Sequence, residues 1–150
     1  MSNRIGIASD HGGKILKEKV SVFLRSQGWD VKDFGPSVQS QESVDYPDFA
    51  AMLGREVSSG SLPRGILICG TGIGMSIAAN KISGIRATVV WDEFTAKVSR
   101  QHNDSNVLCL GERVLNHDRA IDFLSLWLEI PFEGGRHQNR VNKISQLERT

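Results

Sequence analysis

A cysteine heads a glycine-alternating turn near the middle of this 150-residue chain: Cys69-Gly70-Thr71-Gly72-Ile73-Gly74 follows the apolar run 65–68 directly. The run reads as a buried strand and 73–81 as a helix, so 69–74 is the strand-to-helix turn. Glycines let the backbone turn sharply and approach a ligand closely, while a helix N-terminus offers unpaired N–H donors and a partial positive charge. An anion or a developing oxyanion would fit there, and the same field favours the thiolate of an adjacent cysteine. Cys69 is therefore a candidate base or nucleophile. The plainer alternative is a small hydrophobe closing a buried strand.

Four further groups of polar residues have chemical potential. Ser9-Asp10-His11-Gly12-Gly13 follows a first strand, where Asp10 could hold sugar hydroxyls or cap a helix and His11 could meet a phosphate. Asp45-Tyr46-Pro47 closes a long loop that begins at the same edge. Arg100-Gln101-His102-Asn103-Asp104 ends a helix, where the dipole favours a protonated imidazole, so His102 could deliver or accept a proton near neutral pH. Arg136 and Arg140, four residues apart on one helical face, could clamp phosphate or carboxylate, and Arg113 after the fifth strand could join them. A dinucleotide site is the competing use of the glycine turn. Its fingerprint wants a third glycine where Met75 stands, and it follows a first strand, whereas this turn follows the third.

Strands and helices alternate along the chain. Strands are expected at 4–8, 29–34, 65–68, 86–91 and 106–110; helices at 12–27, 48–58, 73–81, 92–101 and 118–128, with a last one carrying Val141, Ile144 and Leu147. This order implies a parallel α/β sheet covered on both faces, with ligands at the carboxyl ends of its strands. The 9–13, 45–47 and 69–74 segments should then face one crevice. Trp91 is expected to pack in the core at a strand end, and Cys109 to be buried and inert.

Composition bounds the function. With 39% apolar and 23% charged residues, a single domain spanning 1–150 can bury about two thirds of its unfolded surface without disulfides or metal. A net charge of +1 supplies no basic field, which argues against nucleic acid as a partner. The two cysteines suit a reduced, cytoplasmic chain, and neither a signal peptide nor a run of 18 apolar residues suggests a membrane.

Taken together, Ser9-Asp10-His11-Gly12, Asp45-Tyr46-Pro47, Ile68 to Gly74, Ala78-Ala79-Asn80-Lys81, Gly84-Ile85-Arg86-Ala87, Ser99 to Asp104 and Glu133 to Val141 closely resemble the ribose-5-phosphate isomerase B family. The seven segments occur in order over nearly the whole chain. The resemblance implies a three-layer α/β/α sandwich around a five-stranded parallel, Rossmann-like sheet. It implies a homodimer or dimer of dimers with active sites at the subunit interface, the C-terminal helix packing on the partner, and neither metal nor cofactor. It also implies roles. His102 would open the furanose ring, Asp10 and Tyr46 would contact the sugar, and Cys69 would move a proton between C2 and C1. The cis-enediolate would lie against the amides of Gly70, Gly72, Ile73 and Gly74 and the Thr71 hydroxyl, with His11, Arg136 and Arg140 on the phosphate and Asn103 and Arg113 as further contacts.

Within the family, one branch carries a glutamate base at the position of Met75; a thioether cannot take a proton, so this chain resembles the cysteine branch. Galactose-6-phosphate isomerase divides these elements between unlike chains, whereas this chain holds both sets. Trp91, Phe94 and the 36–43 loop are placed to reshape the sugar pocket, which leaves tetrose 4-phosphate and hexose 6-phosphate substrates as alternatives to the pentose. A non-catalytic sugar-phosphate-binding subunit is the rival from another class. It would have no need of a base together with a ring-opening acid.

Overall fold

Alternation inside the central strands decides the layering of the molecule. In the computed structural model, which describes residues 3–148, β1 (Arg4–Ser9), β3 (Gly65–Cys69) and β5 (Val107–Gly111) are buried throughout except for Arg4. Successive side chains point to opposite faces, so each strand feeds two cores. Ile5, Ile7, Ile66, Ile68, Leu108 and Leu110 pack with α1 (Lys14–Ser26) and α5 (His117–Glu129) around the fully buried Trp127. Ala8, Leu67, Cys69, Val107 and Cys109 pack with α2 (Tyr46–Ser58) and α3 (Ile73–Ala79) on the other face. Strand parity therefore sends Cys69 to the α2/α3 side.

The sheet is wholly parallel in the order β2-β1-β3-β5-β4, with β2 (Asp30–Asp33) and β4 (Ala87–Val89) at its edges. The expected α/β sandwich is the one observed. From β1 the chain crosses to one side to form β2 and to the other to form β3. The crevice above the carboxyl ends of β1 and β3 is where such sheets hold ligands. The helix α4 (Glu93–Gln101) runs from the carboxyl edge back to the amino edge, and α6 (Arg136–Leu147) follows α5.

Most element ends shift by one or two residues from the sequence expectation, and two of these shifts bear on the site. The helix α2 begins at Tyr46, with Pro47 in its first turn, because proline's fixed φ and missing N–H suit that position. At β4 the ladder stops at Val89 rather than reaching Trp91. The Trp91 amide instead donates to Thr95 Oγ1 at 3.2 Å, part of a turn organised by the reciprocal Asp92–Thr95 capping box of α4. That cap pulls the chain off the sheet, and Trp91 is 59% exposed instead of packed in the core.

Candidate active site

Cys69 is the last residue of β3 and only 5% exposed. The chain turns immediately beyond it through Gly72, the α3 N-cap, whose φ of 81° is a left-handed conformation that favours glycine. That turn aims the Gly72 amide at Cys69 Sγ, 3.1 Å away. The sulfur thereby accepts a hydrogen bond from the turn that follows it. The Ile73 amide is likewise committed, donating to Thr71 Oγ1 at 3.2 Å. The amides left to a ligand are thus drawn from Gly70, Thr71 and Gly74, a narrower set than the whole loop. Cys109 lies two residues below Gly111, the register partner of Cys69. Complete burial, and then proximity to Cys69, push its thiol well above the ordinary range, so it offers no thiolate.

The other carboxyl-edge groups gather around this loop. Asp10 Oδ1 accepts from the Gly12 amide at 2.9 Å, and the Asp10 amide donates to Ile68 O at 3.2 Å. Asp10 therefore fixes the turn above β1 and does not cap α1. In the first turn of α1 the Leu16 amide donates instead to Glu112, which follows β5, at 2.6 Å. Side chains able to meet an anion stand at the same edge. His11 supplies one, its Nδ1 lying 3.1 Å from the Val44 amide and 3.2 Å from the Val44 carbonyl, so either tautomer is anchored on the long loop. Arg113 supplies another. Its guanidinium lies over Gly12 and Gly70, where an added Cβ would meet it at 3.3 and 3.1 Å. Tyr46 lies against Gly74 so closely that a Cβ there would be 2.5 Å from its ring. Asp10, His11, Tyr46, the 69–74 loop and Arg113 thus form one cluster, with Trp91 and the 69% exposed Phe94 at the same sheet edge.

His102, Asn103, Arg136 and Arg140 stand elsewhere. His102 is the C-cap of α4, so it sits at the amino edge of the sheet, before β5 begins. The length of β5 alone puts about 13 Å between that edge and the Cys69 loop. Asp104, the one non-glycine residue with positive φ among the described residues, at 47°, pins this turn. Its carboxylate accepts from Arg100 at 3.0 Å and Arg86 at 3.4 Å, and its carbonyl accepts from Arg86 Nε at 2.9 Å. The Glu133 amide donates to Gln101 O at 3.1 Å, bringing the start of α6 alongside. The rings of His102 and His137 stack there with centroids 4.2 Å apart and planes 10° from parallel. A cavity of about 630 Å³ adjoins the same turn, lined in part by Arg86, Asn103, Ile144 and Leu147.

Donor atoms of His102, Glu133 and His137 lie within 4.8 Å of one another, a composition seen in transition-metal sites that linear spacing does not reveal. The rings are parallel, however, and a metal lies in the plane of each imidazole that binds it. Stacked planes cannot share one ion, so the cluster as built is not a coordination site.

The model of the family described as "Ribose/Galactose Isomerase" matches residues 5–144. The chain belongs to that isomerase family. It is 46% identical over 145 residues to ribose-5-phosphate isomerase B of Escherichia coli (strain K12), covering 97% of this chain and 96% of the relative. A Clostridium thermocellum ribose-5-phosphate isomerase B structure superposes with a TM-score of 0.94 at 52% identity, covering 97% of each chain. Ribose-5-phosphate isomerase B of Mycoplasma genitalium, solved with bound ribulose-5-phosphate, gives a TM-score of 0.92 at 44% identity over 97% of this chain and 96% of that one. Among the described residues no helix is long and apolar enough to cross a membrane.

For an isomerase of this family the two clusters have complementary chemistry. One holds a thiol at an amide-lined turn; the other holds an imidazole, an amide side chain and two guanidinium groups. Sequence reasoning gave Glu112 and His137 no role because the groups they meet, the Leu16 amide and the His102 ring, are remote in the chain. Glu112 and Leu16 are 96 residues apart, and the only local signal for the Glu133–His137 pair was its i,i+4 spacing.

Proposed function

We propose that this protein interconverts ribose 5-phosphate and ribulose 5-phosphate as a homo-oligomer, with each active site assembled from the two clusters of different subunits. The observation that carries the reading is the Gly72 amide 3.1 Å from Cys69 Sγ in a member of an isomerase family. The second cluster is too far away in the same chain to act on a five-carbon substrate held at Cys69.

In the proposed mechanism His102 of the partner subunit protonates the ring oxygen as the C1–O bond of the furanose breaks, while the anomeric hydroxyl gives up its proton to solvent and becomes the aldehyde oxygen. The Cys69 thiolate then takes the proton from C2, and the electron pair of that C–H bond forms the C1–C2 double bond as negative charge builds on O1. The free amides of the 70–74 loop and the Thr71 hydroxyl stand where that charge develops. Each such donor, preorganised, is worth about 3–4 kcal/mol of barrier. Return of the proton to C1, with the O2 proton passing to O1, leaves the C2 ketone. Asp10 and Tyr46 hold the carbon chain; His11 and Arg113 from one subunit, with Asn103, Arg136 and Arg140 from the other, meet the phosphate end.

Docking of a second copy at the amino edge is favoured by the cavity beside Asn103 and by Ile144 and Leu147, which are 40% and 70% exposed on α6. The same arrangement would bring α6 onto the partner. The cytoplasm is the compartment that suits two free cysteines, one of them catalytic.

The test is direct. Ribose 5-phosphate supplied without metal or nucleotide should yield ribulose 5-phosphate, and a panel of tetrose 4-phosphates and hexose 6-phosphates should be turned over less efficiently. A higher efficiency on a hexose phosphate would move the substrate assignment within the class. Inactivity on the whole panel would leave a sugar-phosphate-binding subunit as the reading.

A further inference from the structure

The groups around His102 have a use that the mechanism above does not assign. The His102 ring makes no hydrogen bond among the described residues, and imidazole χ2 is a broad, two-fold torsion. Its one directed contact is the face of His137, at 4.2 Å and 10°. His137 is held firmly. It is 5% exposed, its amide donates to Gly134 O at 3.0 Å, and its Nε2 lies 3.5 Å from the Glu133 carboxylate. Burial, and then the neighbouring charges of His102 and Arg136, lower its pKa and keep it neutral, with Arg140 acting in the same sense and Glu133 opposing. With this ring neutral, the face it turns to His102 carries no charge of its own. A charged ring there would repel an imidazolium at His102.

We propose that His137 is a positioning residue for ring opening: its buried imidazole is the plate that fixes the plane of the His102 ring, and Glu133 holds the plate. This rests on the assignment of His102 as the ring-opening acid. A freely rotating imidazole would present its N–H to the ring oxygen only part of the time, whereas a stacked one keeps its plane. The proton donor is thereby oriented before substrate arrives.

The experiment separates ring opening from proton transfer. Ribulose 5-phosphate has no ring to open, because its C5 oxygen carries the phosphate, so uptake of solvent deuterium at its C1 reports the Cys69 half-reaction alone. His137→Ala should lower turnover of ribose 5-phosphate by about 100-fold, the scale of a misplaced catalytic group, with C1 exchange near that of the unaltered protein. His137→Phe, which keeps a flat ring of similar size, should recover most of the lost turnover. Exchange activity serves as the check that each variant is folded. Unchanged turnover in His137→Ala, a parallel loss of exchange and turnover, or a Phe variant as poor as the Ala variant would overturn the proposal. His102→Asn, run beside them, tests the underlying assignment. If that variant shows no separation of exchange from turnover, the ring-opening role itself fails; if it does and His137→Ala does not, only the positioning role fails.

Discussion

Cys69→Ala is expected to lose turnover of ribose 5-phosphate by about 10⁴-fold, the upper end for removal of a general base, while still binding the sugar phosphate. The reason is that nothing nearby can substitute. Met75 is buried in the first turn of α3 and a thioether has no basic site, while Cys109 is fully buried with its thiol pushed far up. Binding should survive because the phosphate contacts are side chains elsewhere, and because the turn is set by backbone geometry at Gly72 rather than by sulfur. Turnover by a coupled ribulose 5-phosphate assay, alongside calorimetric titration with ribose 5-phosphate, checks both halves of the expectation. Near-normal turnover would remove Cys69 as the base; loss of binding together with turnover would mean that the thiol is structural.

The second large effect is at His102. His102→Asn keeps a polar side chain on the turn but cannot donate a proton as an acid, so turnover of ribose 5-phosphate should fall by about 10²- to 10⁴-fold. Tetrose phosphates, which cannot close the same phosphorylated ring, should lose much less. The magnitude depends on how little open-chain aldehyde the cyclic substrate supplies by itself. Assays of the variant on ribose 5-phosphate and erythrose 4-phosphate, each relative to the unaltered protein, decide the matter. Equal losses on the two would contradict a ring-opening role and make His102 a general binding residue.

How much of this was written in the sequence depends on how local each signal is. The Cys69 loop was legible because a buried strand, a cysteine and a glycine-spaced turn are adjacent, and the turn then brings backbone amides to the thiol, that of Gly72 directly against it. Strand parity was also legible: the alternation in 65–69 and 107–111 already separates Ile66 and Ile68 from Leu67 and Cys69. The end of β4 was not, because it is set by competition between a ladder hydrogen bond and the Asp92–Thr95 cap, and Trp91 went to the surface with the winner. The division of the site into two clusters follows from direction. A helix after a parallel strand must return to the amino edge, so its C-cap, His102, cannot stand beside a residue that ends a strand. The partners that hold Leu16 and His102, Glu112 and His137, meet them only through the tertiary fold.

Subunit mixing tests the account at its centre. Cys69→Ala and His102→Asn chains, each inactive alone on ribose 5-phosphate, are combined at equal concentration, unfolded, refolded together and assayed. If each site takes Cys69 from one subunit and His102 from another, half of the sites in every mixed dimer are intact, and a statistical mixture recovers about a quarter of the unaltered activity. A mixture as inactive as its components, with mixed dimers present, would contradict the shared site and place Cys69 and His102 within reach of one another in a single chain.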